Sequence, residues 1–411
     1  MLTHDSLRTA IEIREQLASD RRRLAFFFGA GTSMAVGLPG IDSLSTQVVE
    51  RLEEPDKAQL KKVQDDLRTG ANVEIVLDQI RACSELFGDS EEKEYGGLKG
   101  ASAARELDMA ICGAICEIVS GDPPKGLRLH QTFAQWLRAL HRSRDLPVEI
   151  FTTNYDLLLE QGMEISGVPF FDGFVGSVAP FFAPESVDAE AEKVDEWCYP
   201  PRAWTRLWKV HGSINWRMQR DIATKRNRIT RVSGSEAKKG EELMIFPSRE
   251  KYTQSRKLPF IAFQDRLRKL LSTGEGLVVV VGYSFLDEHL NEILFQGLRS
   301  NPRLAITGLI YSELTDKLVE YGKDCRNLML CGADKACIGG IVAPWGEPRK
   351  RKDDQPWPFW DDASKHFTLG DFNSFTSFLE VTIGFRTDGT TADLGSTTEA
   401  TESQSEDSSK T

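Results

Sequence analysis

Residues 24–39 read Leu24-Ala25-Phe26-Phe27-Phe28-Gly29-Ala30-Gly31-Thr32-Ser33-Met34-Ala35-Val36-Gly37-Leu38-Pro39. The unbroken apolar run 24–28 has the character of a strand covered on both faces, as in a parallel sheet. Small residues follow at once. Gly29, Ala30 and Gly31 let the backbone approach a ligand closely, and the glycines permit positive φ. Thr32 and Ser33 are residue types that cap a helix N-terminus. A strand, a glycine turn and a helix start together make an anion site, because exposed N–H groups and the helix dipole point the same way. The stretch therefore predicts a phosphorylated nucleotide as ligand. It is not the common dinucleotide fingerprint, since the third glycine falls at Gly37, and it is not a P-loop, since no Gly-Lys-Ser/Thr follows. A βα turn with no ligand would read the same locally.

The 411 residues, 40% hydrophobic, suffice for one large or two ordinary domains with a proper core. The net charge of −11 argues against a nucleic-acid surface spread over the whole molecule. Residues 387–411 hold six acids and one base, supply −5 of that charge and read as a disordered acidic tail. No apolar run has the length of a membrane span. Residues 1–20 read as an amphipathic helix rather than a signal peptide. Seven scattered cysteines suit a reducing cytoplasm, and no Cys-x-x-Cys pair offers a zinc ribbon. Cys112 and Cys116, four apart in an apolar helical pattern, read as core. No metal site is expected.

Helical periodicity runs through 45–52, 57–68, 73–83, 101–119 and 130–140, which predicts a helical subdomain over 43–142 inserted after the first βα unit. Strands are expected at 148–153, 207–210, 243–246, 277–281, 305–311 and 327–330, with helices at 156–163 and 287–297. The alternation predicts an α/β fold, a Rossmann-like doubly wound parallel sheet with an inserted helical subdomain. Ligands of such sheets bind at the carboxyl ends of the strands. The polar segment 217–242 carries eight Lys/Arg against four acids. It reads as a polar loop or hairpin, either a solvated excursion or a contact surface for an acidic partner or nucleic acid. The aromatic-rich segment 331–386, with Trp345, Trp357, Phe359 and Trp360, completes the core of the 1–330 catalytic domain or forms a subunit interface.

Four predicted strand ends carry polar residues. The first is the glycine turn. The second is Thr152-Thr153-Asn154-Tyr155-Asp156, with more hydroxyl, amide and carboxylate groups than one helix cap needs. The third is His211-Gly212-Ser213. The fourth is Gly282-Tyr283-Ser284.

In this order the four motifs resemble the sirtuin-like (silent information regulator) superfamily of NAD-consuming enzymes. Gly29-Ala30-Gly31-Thr32-Ser33 with Gly37-Leu38-Pro39 is similar to the family's first NAD motif. Thr153-Asn154-Tyr155-Asp156 resembles its Gln-Asn-x-Asp motif, His211-Gly212 its His-Gly pair, and Gly282-Tyr283-Ser284 its Gly-Thr/Tyr-Ser motif. Sirtuin deacylases continue the first motif with Asp-Phe-Arg, where this chain has Gly40-Ile41-Asp42-Ser43. They also carry two Cys-x-x-Cys pairs after the His-Gly, an interval with no cysteine here. These departures resemble the bacterial antiphage-defence branch that hydrolyses NAD+.

The resemblance implies that NAD+ is the substrate. Gly29, Ala30, Gly31, Thr32 and Ser33 would hold the pyrophosphate, and Thr153 and Tyr155 would line the site. Gly282, Tyr283 and Ser284 would take the adenosine side, and Asp42 the nicotinamide ribose. Asn154 would orient water or ribose, His211 would act as base or ribose-hydroxyl partner, and Asp156 would fix the local geometry or support Asn154. The expected activity is NAD+ glycohydrolysis. A non-catalytic NAD or ADP-ribose sensor and a protein deacylase are the alternatives. The resemblance also implies a homo-oligomer and a separate HerA-type helicase ATPase as partner, with nucleic acid reached through that partner or the basic segment, and no membrane.

Overall fold

The computed structural model describes residues 2–67, 71–141, 144–188, 200–201, 204–220, 227–233, 242–245, 258–351 and 355–382. The acidic tail, Cys198 and most of the basic segment lie outside the described residues.

The predicted 24–28 strand spans Arg23–Phe28 and lies in the middle of the main sheet. On one side it pairs in parallel with Glu149–Thr152, which is followed outward by Thr205–Lys209 and the short Phe170–Phe171. On the other side it pairs in parallel with Gly276–Val281, then Leu304–Leu309 and Leu328–Cys331. That edge is extended by the antiparallel pair Lys335–Ile338 and Ile341–Gly346, with His4–Asp5 beside the latter. The fold is the expected Rossmann-like α/β class. Strand order reverses direction between Arg23–Phe28 and Gly276–Val281, and such a switch point opens a crevice at the carboxyl ends.

Alternation along the central strand builds two cores. Phe26 and Phe28 face helices Ser6–Ala18, Arg128–Leu140 and Phe372–Thr382. Phe133 meets both rings edge-on, at 5.1 and 5.0 Å. Ala25 and Phe27 face Phe260–Ser272 and Glu288–Ser300. Each phenylalanine so buried contributes about 1.5–3 kcal/mol. Trp345, Phe359 and Trp360 lie in the first of these cores, together with Phe375 and Phe378 of the last described helix.

Helices Ile41–Arg51, Asp56–Asp66, Val73–Phe87 and Ala101–Val119 form the inserted unit around a core of their own, with the buried pair Arg81–Asp108 at 2.6 Å. Two findings correct the 43–142 reading. The helix Arg128–Leu140 covers the main sheet rather than the insertion, and a two-residue antiparallel ladder, Glu94–Tyr95 with Leu98–Lys99, interrupts the helices. The hairpin allowed for 217–242 and the strand expected at 243–246 belong to a second sheet of their own rather than to the main one. The strand Gly212–Arg220 pairs with Asn227–Arg231 and Glu242–Ile245, and Phe181–Phe182 and Phe174–Val175 complete it. No helix among the described residues is long and apolar enough to cross a membrane.

Candidate functional site

Register brings the four motifs to one edge. Phe28 lies opposite both Thr152 and Val281, and Thr152 lies opposite Lys209. The glycine turn, the Asn154 loop, the His211 turn and the Gly282 turn therefore leave neighbouring strands at the same level.

At the switch point two glycine turns touch. The Gly31 N–H donates to the Gly282 carbonyl at 2.8 Å. A Cβ on Gly29 would lie 2.5 Å from that same oxygen. Gly282 sits at φ 68, where a Cβ would also strike the Thr32 backbone nitrogen at 2.7 Å. Any side chain at Gly29 or Gly282 would force the central strands' loops apart.

The turn corrects the expected anion site. The helix it opens, Gly31–Met34, has four residues and no side-chain cap, so Thr32 and Ser33 lie inside it and are buried. The N–H groups of Gly29, Gly31, Thr32 and Ser33 all donate to backbone carbonyls. The turn contributes shape, not a row of exposed donors.

Instead the polar side chains knit the turn to the second strand end. Asn154 Nδ2 donates to the Gly29 carbonyl at 3.1 Å, to Thr32 Oγ1 at 3.0 Å and to Ser33 Oγ at 2.8 Å. Ser33 Oγ donates onward to Asp156 Oδ2 at 2.7 Å. The amide orientation follows from these partners, since the carbonyl only accepts and the Ser33 proton already goes to Asp156. The other oxygen of Asp156 accepts the Leu158 N–H at 3.1 Å at the start of helix Leu158–Ile165. One carboxylate thus fixes the glycine turn and starts a helix.

Buried groups beneath this chain were not singled out from the sequence. Lys209 Nζ donates to the Asp156 carbonyl and to Glu160 Oε1 at 2.8 Å. Burial raises the Glu160 carboxyl, against the opposing pull of Lys209. His130 packs beside Phe372 with ring centres 5.1 Å apart. Its burial pushes the imidazole down to about 4, although Asp156 pulls the other way.

His211 stands at the third strand end, 14% exposed, with Nε2 3.1 Å from Asp287 Oδ2. Asp287 caps the helix Glu288–Ser300. At the fourth strand end Ser284 is exposed and borders a cleft of about 480 Å³ lined also by Phe285, Leu286, His289, Thr315 and Lys317. Phe285 sits at φ 55, a conformation that non-glycine residues adopt only under constraint.

Three predicted ligand residues lie elsewhere than expected. Tyr283 is buried, its ring 4.8 Å from Phe27 and its one hydroxyl proton shared between Asn291 Oδ1 at 3.1 Å and the Asp287 carbonyl at 3.2 Å. Tyr155 packs against the insertion's core, and burial, then Glu74 and Asp156, hold its phenol well above the usual range. Asp42 is exposed on the first turn of Ile41–Arg51, with no hydrogen bond from its carboxylate to the other site residues among those described. Thr153 is half-buried, and its N–H donates to the Phe28 carbonyl at 3.1 Å.

Among the described residues no three or more His, Cys, Asp or Glu side chains gather in a group able to hold a metal ion. None of the curated proteins matches the chain. The family model of the SIR2-like domain matches residues 148–317, a span that contains Asn154, His211 and Gly282 but not the first glycine turn. Over that span the chain is similar to the sirtuin-like superfamily, whose members are NAD-dependent enzymes.

Proposed function

We propose that this chain is an NAD+ glycohydrolase that releases nicotinamide and ADP-ribose, acting as an NAD-depleting effector in antiphage defence. The observation that carries the reading is the placement of Asn154 and His211 at adjacent strand ends beside the switch-point glycines. Water attacks C1′ of the nicotinamide ribose, the C1′–N bond breaks, and its electron pair leaves with neutral nicotinamide. His211 takes the proton lost by the water and returns it to solvent. Asn154 holds the glycine turn in shape and acts by positioning. Gly29, Ala30 and Gly31 let the pyrophosphate approach. The cleft beside Ser284 has a volume suited to the adenosine half. Self-assembly and a separate HerA-type ATPase are the proposed restraints on an otherwise toxic activity.

A sensor reading has one observation in its favour. The Asn154 amide donors are already engaged by the turn. Incubating the protein with NAD+, alone and with the partner ATPase, and quantifying nicotinamide separates the two. Asn154→Ala and His211→Ala are expected to lose about 10²–10⁴-fold in rate while remaining folded. Tight ADP-ribose binding with no turnover in either condition establishes the sensor instead.

A further inference from the structure

His211 has a partner that none of the four motifs contains. Asp287 follows the Gly282 turn, and its carboxylate serves two elements. Oδ1 accepts the Leu290 N–H at 3.0 Å, which caps the 13-residue helix Glu288–Ser300. Oδ2 faces His211 Nε2 at 3.1 Å, and both side chains are nearly buried. The Asp287 carbonyl also accepts the Tyr283 hydroxyl, which is anchored on Asn291. A helix cap needs one side-chain oxygen, and Asn, Ser or Thr serves as well. Capping does not explain the second oxygen or its aim across the switch point.

We propose that Asp287 is a positioning residue of the reaction, a carboxylate that selects the tautomer of His211 and steadies the imidazolium it becomes. The inference rests on the hydrolase reading for its role in turnover. An ionised carboxylate only accepts, so the proton of neutral His211 resides on Nε2 and the lone pair on Nδ1. Nδ1 is then the atom that takes the proton from water attacking C1′. The resulting cation is held 3.1 Å from an anion that is itself fixed by a helix end. Asp287 ties the second half of the sheet to the base carried by the first half, so the base is correctly set only when both halves are in register.

Asp287→Asn is the informative variant. Its Oδ1 keeps the helix cap, while its amide donates to Nε2 and drives the proton to Nδ1. Thermal stability and KM should stay close to wild type, and kcat should fall about 10²-fold. In a His211→Ala background the same change should cost less than about twofold, because a residue acting through another has nothing left to act on. ¹⁵N spectra of the imidazole should show the Nε2–H form in the wild type and its loss in Asp287→Asn. Independent, multiplying losses in the double variant, or an unchanged tautomer, overturn the proposal. A wild type that does not turn over NAD+ removes the hydrolase reading alone, and the tautomer then decides the pairing by itself.

Discussion

The strand Glu149–Thr152 has a buried carboxylate at its amino end and a second one, Asp156, just beyond its carboxyl end, and the two are handled differently. Glu149 is closed off. Arg266 grips both of its oxygens, at 2.8 and 2.6 Å, and Trp208 Nε1 donates to it at 2.8 Å. Burial alone would raise its carboxyl, but Arg266 and Trp208 hold it below the usual range. Among the described residues Asp156 receives no guanidinium. It is held by a serine hydroxyl and a backbone N–H, within a chain of neutral donors leading to Asn154. A buried charge closed by a bidentate partner serves the fold. Hydroxyls and amides, strung between loops at a switch point, set geometry without a bidentate ion pair.

Substitutions at the two ends should fail in different ways. Asn154→Ala, with its rate loss of about 10²–10⁴-fold, should cost no more than about 1–3 kcal/mol of stability. Arg266→Ala should show the reverse. It leaves Glu149 buried without its cation and should cost about 3–5 kcal/mol in denaturant titration, with kcat per folded molecule unchanged. A folded Arg266→Ala protein that has lost turnover would break the distinction. Ser33→Ala is a smaller change. It cuts the link between Asn154 and Asp156, and should lower stability by about 1–3 kcal/mol and kcat by about 10-fold. A stability loss with full activity would make that link purely structural.

The carboxyl-end edge was legible because buried parallel strands are short apolar runs, and 24–28 and 277–281 each end abruptly at a glycine. The links across the edge were not. Ser33 and Asp156 are 123 residues apart, and His211 and Asp287 are 76 apart. Periodicity describes one element at a time and does not say which surface an element covers. For that reason Arg128–Leu140 read as part of the insertion, although Phe133 packs on the sheet. The second sheet was legible only as a hairpin, because Phe174–Val175 and Phe181–Phe182, which extend it, are two residues long and leave no alternation to read. Tyr155 and Tyr283 read as ligand residues because they sit inside motifs, but an aromatic ring next to a core is worth more buried than exposed. Asp287 was placed only as the first residue of the helix 287–297, and nothing in the local pattern pointed to His211 as its partner.

The two ends should also separate under acid. His130 lies against Asp156, and its folded value of about 4 is below the ordinary value near 6.5. Between those values the unfolded chain holds a proton that the folded chain refuses, so stability falls as pH drops, by at most about 1.4 kcal/mol per pH unit for this group. The contribution is complete above about 6.5 and exhausted below about 4. Glu149 behaves differently. Its folded carboxyl is depressed, so its share is lost only below the ordinary carboxylate value of about 4.3. His141, also lowered by burial, adds to the upper window with the same sign. Urea midpoints measured from pH 7.5 to 4.5 should therefore carry this decline in the wild type, set against the opposite trend of the raised Glu160 carboxyl. They should decline less in His130→Gln, which keeps a polar group but cannot titrate, and the difference between the two slopes isolates His130. Parallel slopes would mean that His130 titrates alike in the folded and unfolded chain, and a wild type that declines less than His130→Gln would mean that His130 is protonated beside Asp156, in a closed ion pair like the one at Glu149.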